Sequence, residues 1–161
     1  MADSGASVVH VPVGRDRFGL DRKVFGVMPF AVKVAARDTS GGMLVIEQAN
    51  DYRGGPPRHV HFEQDEWFYA VEGTYVVEVA GVAHRLAPGD SVLAPRGVPH
   101  GWALVDGPGR MIIAFHPAGS MEAFFDRACE LASLPPHEDV RSLFAEHGMR
   151  VEGPPVSADG V

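Results

Sequence analysis

Three histidines and one carboxylate give this sequence its clearest capacity for chemistry. His59 and His61 are two residues apart. Successive side chains of a strand alternate between its two faces, so both imidazoles point to the same side and can reach one metal ion. Glu66 follows a polar turn and opens residues 67–71, whose aromatic and branched side chains favour a strand. A third imidazole, His100, comes after a run of turn residues. The pattern indicates half of a metal site at His59 and His61, with two further candidate ligands downstream.

The spacing of these residues resembles the two signature motifs of the cupin superfamily. The first motif runs His-x-His, four residues, Glu, six residues, Gly over residues 59–73, and the second runs Gly, five residues, Pro-x-Gly-x-x-His over residues 89–100. Within the superfamily, residues 65–73 and 116–125 are most similar to small single-domain bacterial cupins of the quercetin 2,3-dioxygenase-like type. The resemblance covers residues 24–155.

The resemblance implies an all-β fold with a single cupin jelly-roll barrel, and helical spacing after residue 117 adds two short C-terminal helices. The resemblance also implies one divalent transition metal per chain, with the ligands His59, His61, Glu66 and His100. Glu63 and Asp65 compete with Glu66 for the carboxylate position, but only Glu66 lies seven residues before Gly73, as the motif requires. Nitrogen and oxygen donors without a thiolate suit iron, manganese, nickel, cobalt, copper or zinc, and ligand type alone does not choose among these metals.

The function that the resemblance implies is a metal-dependent dioxygenase acting on a hydroxylated aromatic or enolisable small molecule such as a flavonol, with dioxygen as a second reactant. Glu66 is then expected to be catalytic, as the general base that takes a proton from the substrate. Two alternatives stay open. One is a non-redox metal-dependent isomerase, cyclase or lyase in a biosynthetic pathway, and the other is a non-catalytic cupin that binds a small ligand.

Alternation along the strands predicts which side chains face the interior. Five residues share the inward parity of Glu66 or His100 and are predicted to form the substrate pocket wall: Phe68, Tyr75, Val77, Trp102 and Leu104.

The opposite parity turns Trp67, Tyr69 and Val71 outward, and an apolar stripe of this kind requires cover from water. The C-terminal helices, the N-terminal arm or a second subunit could supply it. The resemblance implies a homodimer built on such a face.

The elements that must position these residues follow from turn signals and periodicity. Short strand-like runs between residues 23 and 116 are separated by Gly and Pro clusters, which is typical of a sandwich or barrel. Helical spacing appears twice afterwards, around residues 120–132 and 136–147. We therefore predict a flexible or partner-docking arm over 1–17, a barrel over 18–117, a helical extension over 118–155 and a tail over 156–161.

Composition limits the classes of partner that this chain is expected to bind. The chain has 161 residues, which suits one domain with a sizeable core. It carries 14 basic against 21 acidic residues and no basic run, so it lacks the phosphate neutralisation that nucleic acids require. The single cysteine, Cys129, excludes an internal disulfide. No leader-like or membrane-length apolar run is present, which predicts no membrane association and a cytoplasmic location.

Overall fold

The computed structural model describes residues 7–159. Most of this range is β-structure, followed by two α-helices and a final strand. The strands are β1 (Arg22–Val24), β2 (Met28–Val34), β3 (Leu44–Asn50), β4 (Pro57–His61), β5 (Asp65–Val79), β6 (Val82–Leu86), β7 (Ser91–Ala94), β8 (His100–His116) and β9 (Met149–Pro155). The helices are α1 (Met121–Cys129) and α2 (His137–Glu146), and a short 3-10 helix covers Ala36–Thr39.

All nine strands belong to one antiparallel sheet that curls over its own core. The order β1-β2-β3-β8-β4-β9 forms one path, and β5 pairs with β8, β6 and β7. β5 and β8 are 15 and 17 residues long and pair with each other along both of their halves. The two long strands therefore link the half of the barrel that contains β3 and β7 to the half that contains β4 and β6. This confirms the predicted all-β cupin-type fold with short C-terminal helices.

The close approach of β5 to β8 at an irregular part of their pairing depends on Gly73. The β5–β8 register shifts on both sides of this residue, and its φ of +79° lies in the left-handed region that disfavours other residues. A Cβ at this position would stand 2.8 Å from the carbonyl oxygen of Pro108 and 2.9 Å from the Cα of Gly109. Only glycine lets the two long strands cross so closely, which gives the last residue of the first motif a structural role.

The two helices close one end of the barrel. Phe125 of α1 packs against Phe30 and Phe115, with ring centroids 5.0 and 5.8 Å apart, and Phe124 packs against Phe144 of α2 at 5.1 Å. The phenylalanine side chains of both helices therefore point into the barrel and do not cover its outer face.

The outward stripe predicted from β5 stays partly open to solvent. Trp67 is 38% exposed and stacks on Tyr69, while Tyr69 and Val71 are half-buried. Of the three possible covers, the C-terminal helices place their aromatic residues in the barrel opening instead of on this stripe.

The C-terminal extension contains a strand that the sequence did not predict. β9 pairs antiparallel with β4, with Met149 opposite His61 and Val151 opposite His59. Val156, just after β9, is buried as well. The strand signal was missed because its alternating pattern is only four residues long before a Gly-Pro-Pro sequence, which resembles a loop.

The N-terminal segment is fixed to the sheet over its second half, whereas residues 1–6 lie outside the described residues. Asp16 is 1% exposed and accepts hydrogen bonds from the backbone N–H groups of Phe18 and Val32 and from the Arg22 guanidinium. The Lys33 ammonium donates to the carbonyl of Pro12. No helix among residues 7–159 combines the length and the apolar character needed to cross a bilayer.

Candidate metal centre

Three strands bring the predicted ligands to one point inside the barrel. His59 and His61 project from the same face of β4, and His100 at the start of β8 is the direct cross-strand partner of His59. Glu66 reaches them from β5 in the other half of the sheet. Its Oε2 atom lies 2.7 Å from Nε2 of His100, 2.9 Å from Nε2 of His61 and 3.8 Å from Nε2 of His59. The structure therefore gathers all four predicted ligands into one cluster.

A turn of the second motif is joined directly to the strand of the first motif. The backbone N–H of Gly97 donates to the carbonyl of His61 at 2.7 Å, and the φ of +76° at Gly97 makes this approach possible. The same turn leads into His100 three residues later. The spacing of the second motif is therefore the chain length needed to bring a third imidazole to the strand that holds the other two.

Hydrogen bonds to the backbone fix two of the imidazoles. Nδ1 of His59 donates to the carbonyl of Pro57 at 2.7 Å, and Nδ1 of His100 donates to the carbonyl of Val98 at 2.9 Å. With a proton on Nδ1, each ring turns its Nε2 atom toward the cluster. In His100 this Nε2 donates to Glu66 at 2.7 Å, so it would have to lose that proton to bind a metal. This arrangement of outer hydrogen bonds is common for metal-binding histidines.

His61 provides a test of whether the cluster suits a metal. Both of its ring nitrogens are buried and lack a hydrogen-bond partner among the described residues, because the 2.9 Å approach to Glu66 does not have hydrogen-bond geometry. Such atoms cost free energy unless something binds them. The four donor atoms lie within 4.8 Å of one another, and ligands on opposite sides of one ion with bonds near 2.1 Å stand about 4 Å apart. The donor set therefore fits one divalent transition metal ion.

The cluster is electrostatically coupled. All four side chains are buried, with exposed fractions between 1% and 5%. Burial raises the pKa of Glu66, but its electrostatic interaction with the His61 imidazole and the hydrogen bond from His100 outweigh it and hold this pKa well below its usual range. Burial lowers the pKa of His59 and favours its neutral, metal-binding form. For His100, burial acts in the same direction, but the hydrogen bond to Glu66 prevails and raises the pKa.

The structure brings only one of the three competing carboxylates to the histidines. Glu63 is exposed. Asp65 accepts a hydrogen bond from the backbone N–H of Arg96 and forms an ion pair with its guanidinium at 3.0 Å, which together lower the pKa of Asp65 to about 2. Glu66 alone of the three is in the cluster.

A cavity of about 260 Å³ adjoins the cluster and is lined by His59, His61 and Glu66. Most of its wall is apolar. α1 and α2 contribute Phe124, Phe125 and Phe144, and the β1–β2 hairpin contributes Phe25 and Met28.

Only part of the predicted pocket wall lines this cavity. Trp102 does so, whereas Phe68, Tyr75, Val77 and Leu104 are packed in the hydrophobic core and are not among the lining residues. The alternation of side chains along the strands identified the inward face correctly. It carries no information about the level along the barrel at which the cavity lies. The prediction also missed Gln48 and the helix phenylalanines. Gln48 has the parity of the core residues Leu44 and Ile46, a signal that could have identified it.

Comparison with known proteins agrees with this architecture. The family model described as Cupin domain matches residues 51–115. No curated protein matches the sequence at a significant level.

Among solved structures, an RmlC-like cupin from Shewanella frigidimarina NCIMB 400 is 26% identical, covers 68% of this chain and 91% of its own, and has a TM-score of 0.53. KdgF from Halomonas sp. is 23% identical over 61% of this chain and 86% of its own, with a TM-score of 0.55. Pac13 from Streptomyces, a nucleoside dehydratase, is 15% identical over 72% of this chain and 88% of its own, also at 0.55. At identities of 23% and 15%, the similarity of KdgF and Pac13 to this chain concerns the fold alone.

Proposed function

Since this chain carries a cupin domain, we propose that it is a metal-dependent dioxygenase acting on a hydroxylated aromatic or enolisable small molecule such as a flavonol. One observation supports this proposal above the others. The buried cluster of His59, His61 and Glu66 opens directly into a cavity whose remaining wall is largely apolar and rich in phenylalanine. Such a site favours a ligand with one oxygen-bearing end and a flat apolar body.

The three imidazoles and Glu66 would hold the metal. A divalent transition metal bound by three neutral imidazoles and one carboxylate would carry a net charge near +1 and would supply Lewis acidity and, for a redox-active metal, electron transfer to dioxygen. The chain contributes the orientation of the donors, because the Nδ1 hydrogen bonds of His59 and His100 hold their rings in place without a substrate.

Glu66 is proposed to move the proton. Its depressed pKa keeps the carboxylate ionised at neutral pH, which is the form that accepts a proton from a substrate hydroxyl or from an acidic C–H group. Both Glu66 and His61 line the cavity, so a substrate oxygen can approach Oε2 and the Nε2 side of the imidazole from the same direction. The surrounding apolar wall excludes water and strengthens these electrostatic interactions.

The aromatic wall is proposed to orient the substrate. Phe124 and Phe144 pack edge to face with ring centroids 5.1 Å apart, and Phe144 makes a second edge contact with His59 at 5.4 Å. Offset and edge contacts of this kind suit a further aromatic ring. The helices therefore link substrate binding to one of the ligand imidazoles.

A non-redox reaction is the second candidate, and the ionised, buried Glu66 supports it equally. A base beside a Lewis-acidic centre is sufficient for an isomerase, cyclase or lyase acting on an enolisable compound. Pac13, which shares the fold, is a dehydratase. A cupin that binds a small ligand without turnover is the third possibility, and it predicts binding without product.

Oxygen dependence separates these candidates. Metal-free protein is reconstituted separately with iron, manganese, nickel, cobalt, copper and zinc, then incubated with a flavonol and a panel of phenols and diketones with and without air. We expect substrate loss coupled to oxygen uptake with at least one redox-active metal. Equal turnover without oxygen would favour the non-redox reaction, and binding without product would favour the third possibility.

The role of Glu66 is tested by comparing Glu66→Gln with Glu63→Gln. The amide keeps the size of the side chain but cannot accept the proton, and loss of a positioned base typically costs roughly a hundredfold or more in rate. We expect Glu66→Gln protein to retain most of its metal and to lose turnover. Glu63 is exposed, so its variant controls for the removal of one charge nearby. A Glu66→Gln enzyme with near wild-type turnover would limit Glu66 to ligation.

We also propose that the protein is a homodimer that buries the outer face of the sheet. Cross-strand pairing aligns Leu93, Trp67 and Ala114 in one outward row, with Leu93 53% exposed. Glu47 and Arg110 on the same face pair with each other at 3.9 Å within the chain, so the exposed apolar row supports the proposal and these charges do not. Sedimentation of wild-type and Trp67→Glu protein at micromolar concentration tests this, and a monomeric wild type would refute it.

A further inference from the structure

Gln48 is a polar residue where the barrel interior is otherwise apolar. It lies on β3, is 2% exposed, and shares its face with Leu44 and Ile46, which are both part of the hydrophobic core. Gln48 and Ile46 line the same cavity as Glu66. A hydrophobic side chain at this position would continue the core pattern, so the amide requires an explanation.

The amide nitrogen of Gln48 is buried and has no hydrogen-bond partner among residues 7–159. A buried N–H group without an acceptor is destabilising. Asn50, two residues further along the same face, shows the alternative. Its amide nitrogen donates to the carbonyl of Tyr52 at 3.0 Å, and its amide oxygen accepts from the Tyr75 hydroxyl at 3.4 Å. Asn50 is thus satisfied by the fold, and Gln48 is not.

We infer that Gln48 is a substrate-recognition residue, whose side-chain amide donates a hydrogen bond to an oxygen atom of a molecule bound in the cavity beside the metal cluster. This inference rests on the proposed function, since it takes the cavity as the place where the substrate of the metal centre binds. It adds a second polar contact to the one that Glu66 and the imidazoles provide.

The wall also defines the class of substrate. Within the described range 7–159, no lysine or arginine lines the cavity. A phosphate, a sulfate or a second carboxylate would therefore be buried without a positive partner away from the metal, which is strongly unfavourable. Gln48 is a neutral donor and suits a carbonyl, hydroxyl or ether oxygen. The substrate is thus an apolar molecule that has its acidic oxygen at the metal and an uncharged acceptor oxygen elsewhere.

The test compares Gln48→Leu with Asn50→Leu in metal-loaded protein. Gln48→Leu should leave the metal content unchanged and the thermal midpoint equal to wild type or up to about 4 °C higher, because an unsatisfied amide is replaced by an apolar side chain. Asn50→Leu should lower the midpoint by about 4 °C or more, because it removes two hydrogen bonds made within the fold. A structural role for Gln48 would instead make the two variants behave alike.

Binding of 3-hydroxyflavone, measured by calorimetry without turnover, is the second readout. Gln48→Leu should weaken its binding about tenfold, the effect of one hydrogen bond near 1.4 kcal/mol. Unchanged affinity, or a stability loss equal to that of Asn50→Leu, would overturn the inference. If wild-type protein does not bind the flavonol at all while Gln48→Leu keeps its stability, the choice of flavonol in the proposed function fails, and the stability result still supports a ligand-facing amide.

Discussion

Metal binding should stabilise the folded protein through the His59, His61, Glu66 and His100 cluster. A ligand that binds only the folded state raises the unfolding free energy by RT ln(1 + [L]/Kd), which is about 2.7 kcal/mol at a hundredfold excess over Kd. For a domain of this length 1 kcal/mol corresponds to about 2–4 °C in thermal midpoint, so the expected shift is about 5–11 °C. The donors lie within 4.8 Å of one another before any ion binds. Little of the binding free energy is therefore spent on rearranging the side chains.

The assay is thermal unfolding of chelator-treated protein, repeated with increasing concentrations of each divalent metal and combined with elemental analysis. His59→Ala/His100→Ala protein should lose both the shift and the bound metal, because only His61 and Glu66 remain. The shift is compared within each variant, since removal of an imidazole beside the buried Glu66 also changes the stability of the metal-free state. His84 is exposed on β6, so His84→Ala serves as the matched control.

The reasoning would be refuted by a double variant that keeps the wild-type shift and one metal per chain. It would also be refuted if His84→Ala abolished the shift, because the metal would then be bound on the surface of the barrel.

Three further predictions concern the scaffold. Asp16→Ala should lower the unfolding free energy by about 3–5 kcal/mol, because it leaves Nε of the buried Arg22 and three backbone N–H groups without their acceptor. Asp126→Ala, at a 58% exposed position, should cost less than about 1 kcal/mol. Burial raises the pKa of Asp16, but the backbone hydrogen bonds outweigh it and lower the pKa. The stability that Asp16 contributes is therefore present above about pH 4 to 5 and is lost as the pH falls through the folded-state pKa. Chemical denaturation at a series of pH values should show that Asp16→Asn loses less unfolding free energy in acid than wild type does. Gly73→Ala should cost at least about 2 kcal/mol more than Gly81→Ala, because the two residues have φ values of +79° and +77° but only Gly73 faces the backbone of the opposite strand. Equal losses in the two glycine variants would show that the close approach between β5 and β8 tolerates a methyl group.

The cluster of His59, His61, Glu66 and His100 could be predicted from the sequence because its geometry is mostly local. His59 and His61 need only the alternation of one strand, and motif spacing supplied Glu66 and His100. The assignment of Glu66 over Asp65 also followed from spacing, and the ion pair between Asp65 and Arg96 gives it a physical basis.

The cavity could not be predicted in the same way. Its wall combines β3 with helices that lie 70 to 100 residues later in the chain, and no periodicity links Gln48 to Phe124 or Phe144. Parity placed Tyr75 on the inward face, but the packing of the other half of the sheet determined that this residue fills the core. β9 was missed for a related reason, since a short alternating run before Gly-Pro-Pro becomes a strand only when β4 is available as a partner.

The buried polar atoms indicate where the fold depends on something outside itself. Four residues among those described have a buried side-chain nitrogen or oxygen without a hydrogen-bond partner: Gln48, His61, Gln64 and Arg110. Arg110 is compensated by the nearby carboxylates of Glu47 and Glu72 at 3.9 and 4.0 Å, and Gln64 does not line the cavity. Gln48 and His61 both do. An apolar side chain at either position would avoid the free-energy cost of a buried, unpaired polar atom. The presence of both residues on the cavity wall is explained if a metal ion binds His61 and an oxygen of the bound substrate accepts a hydrogen bond from Gln48.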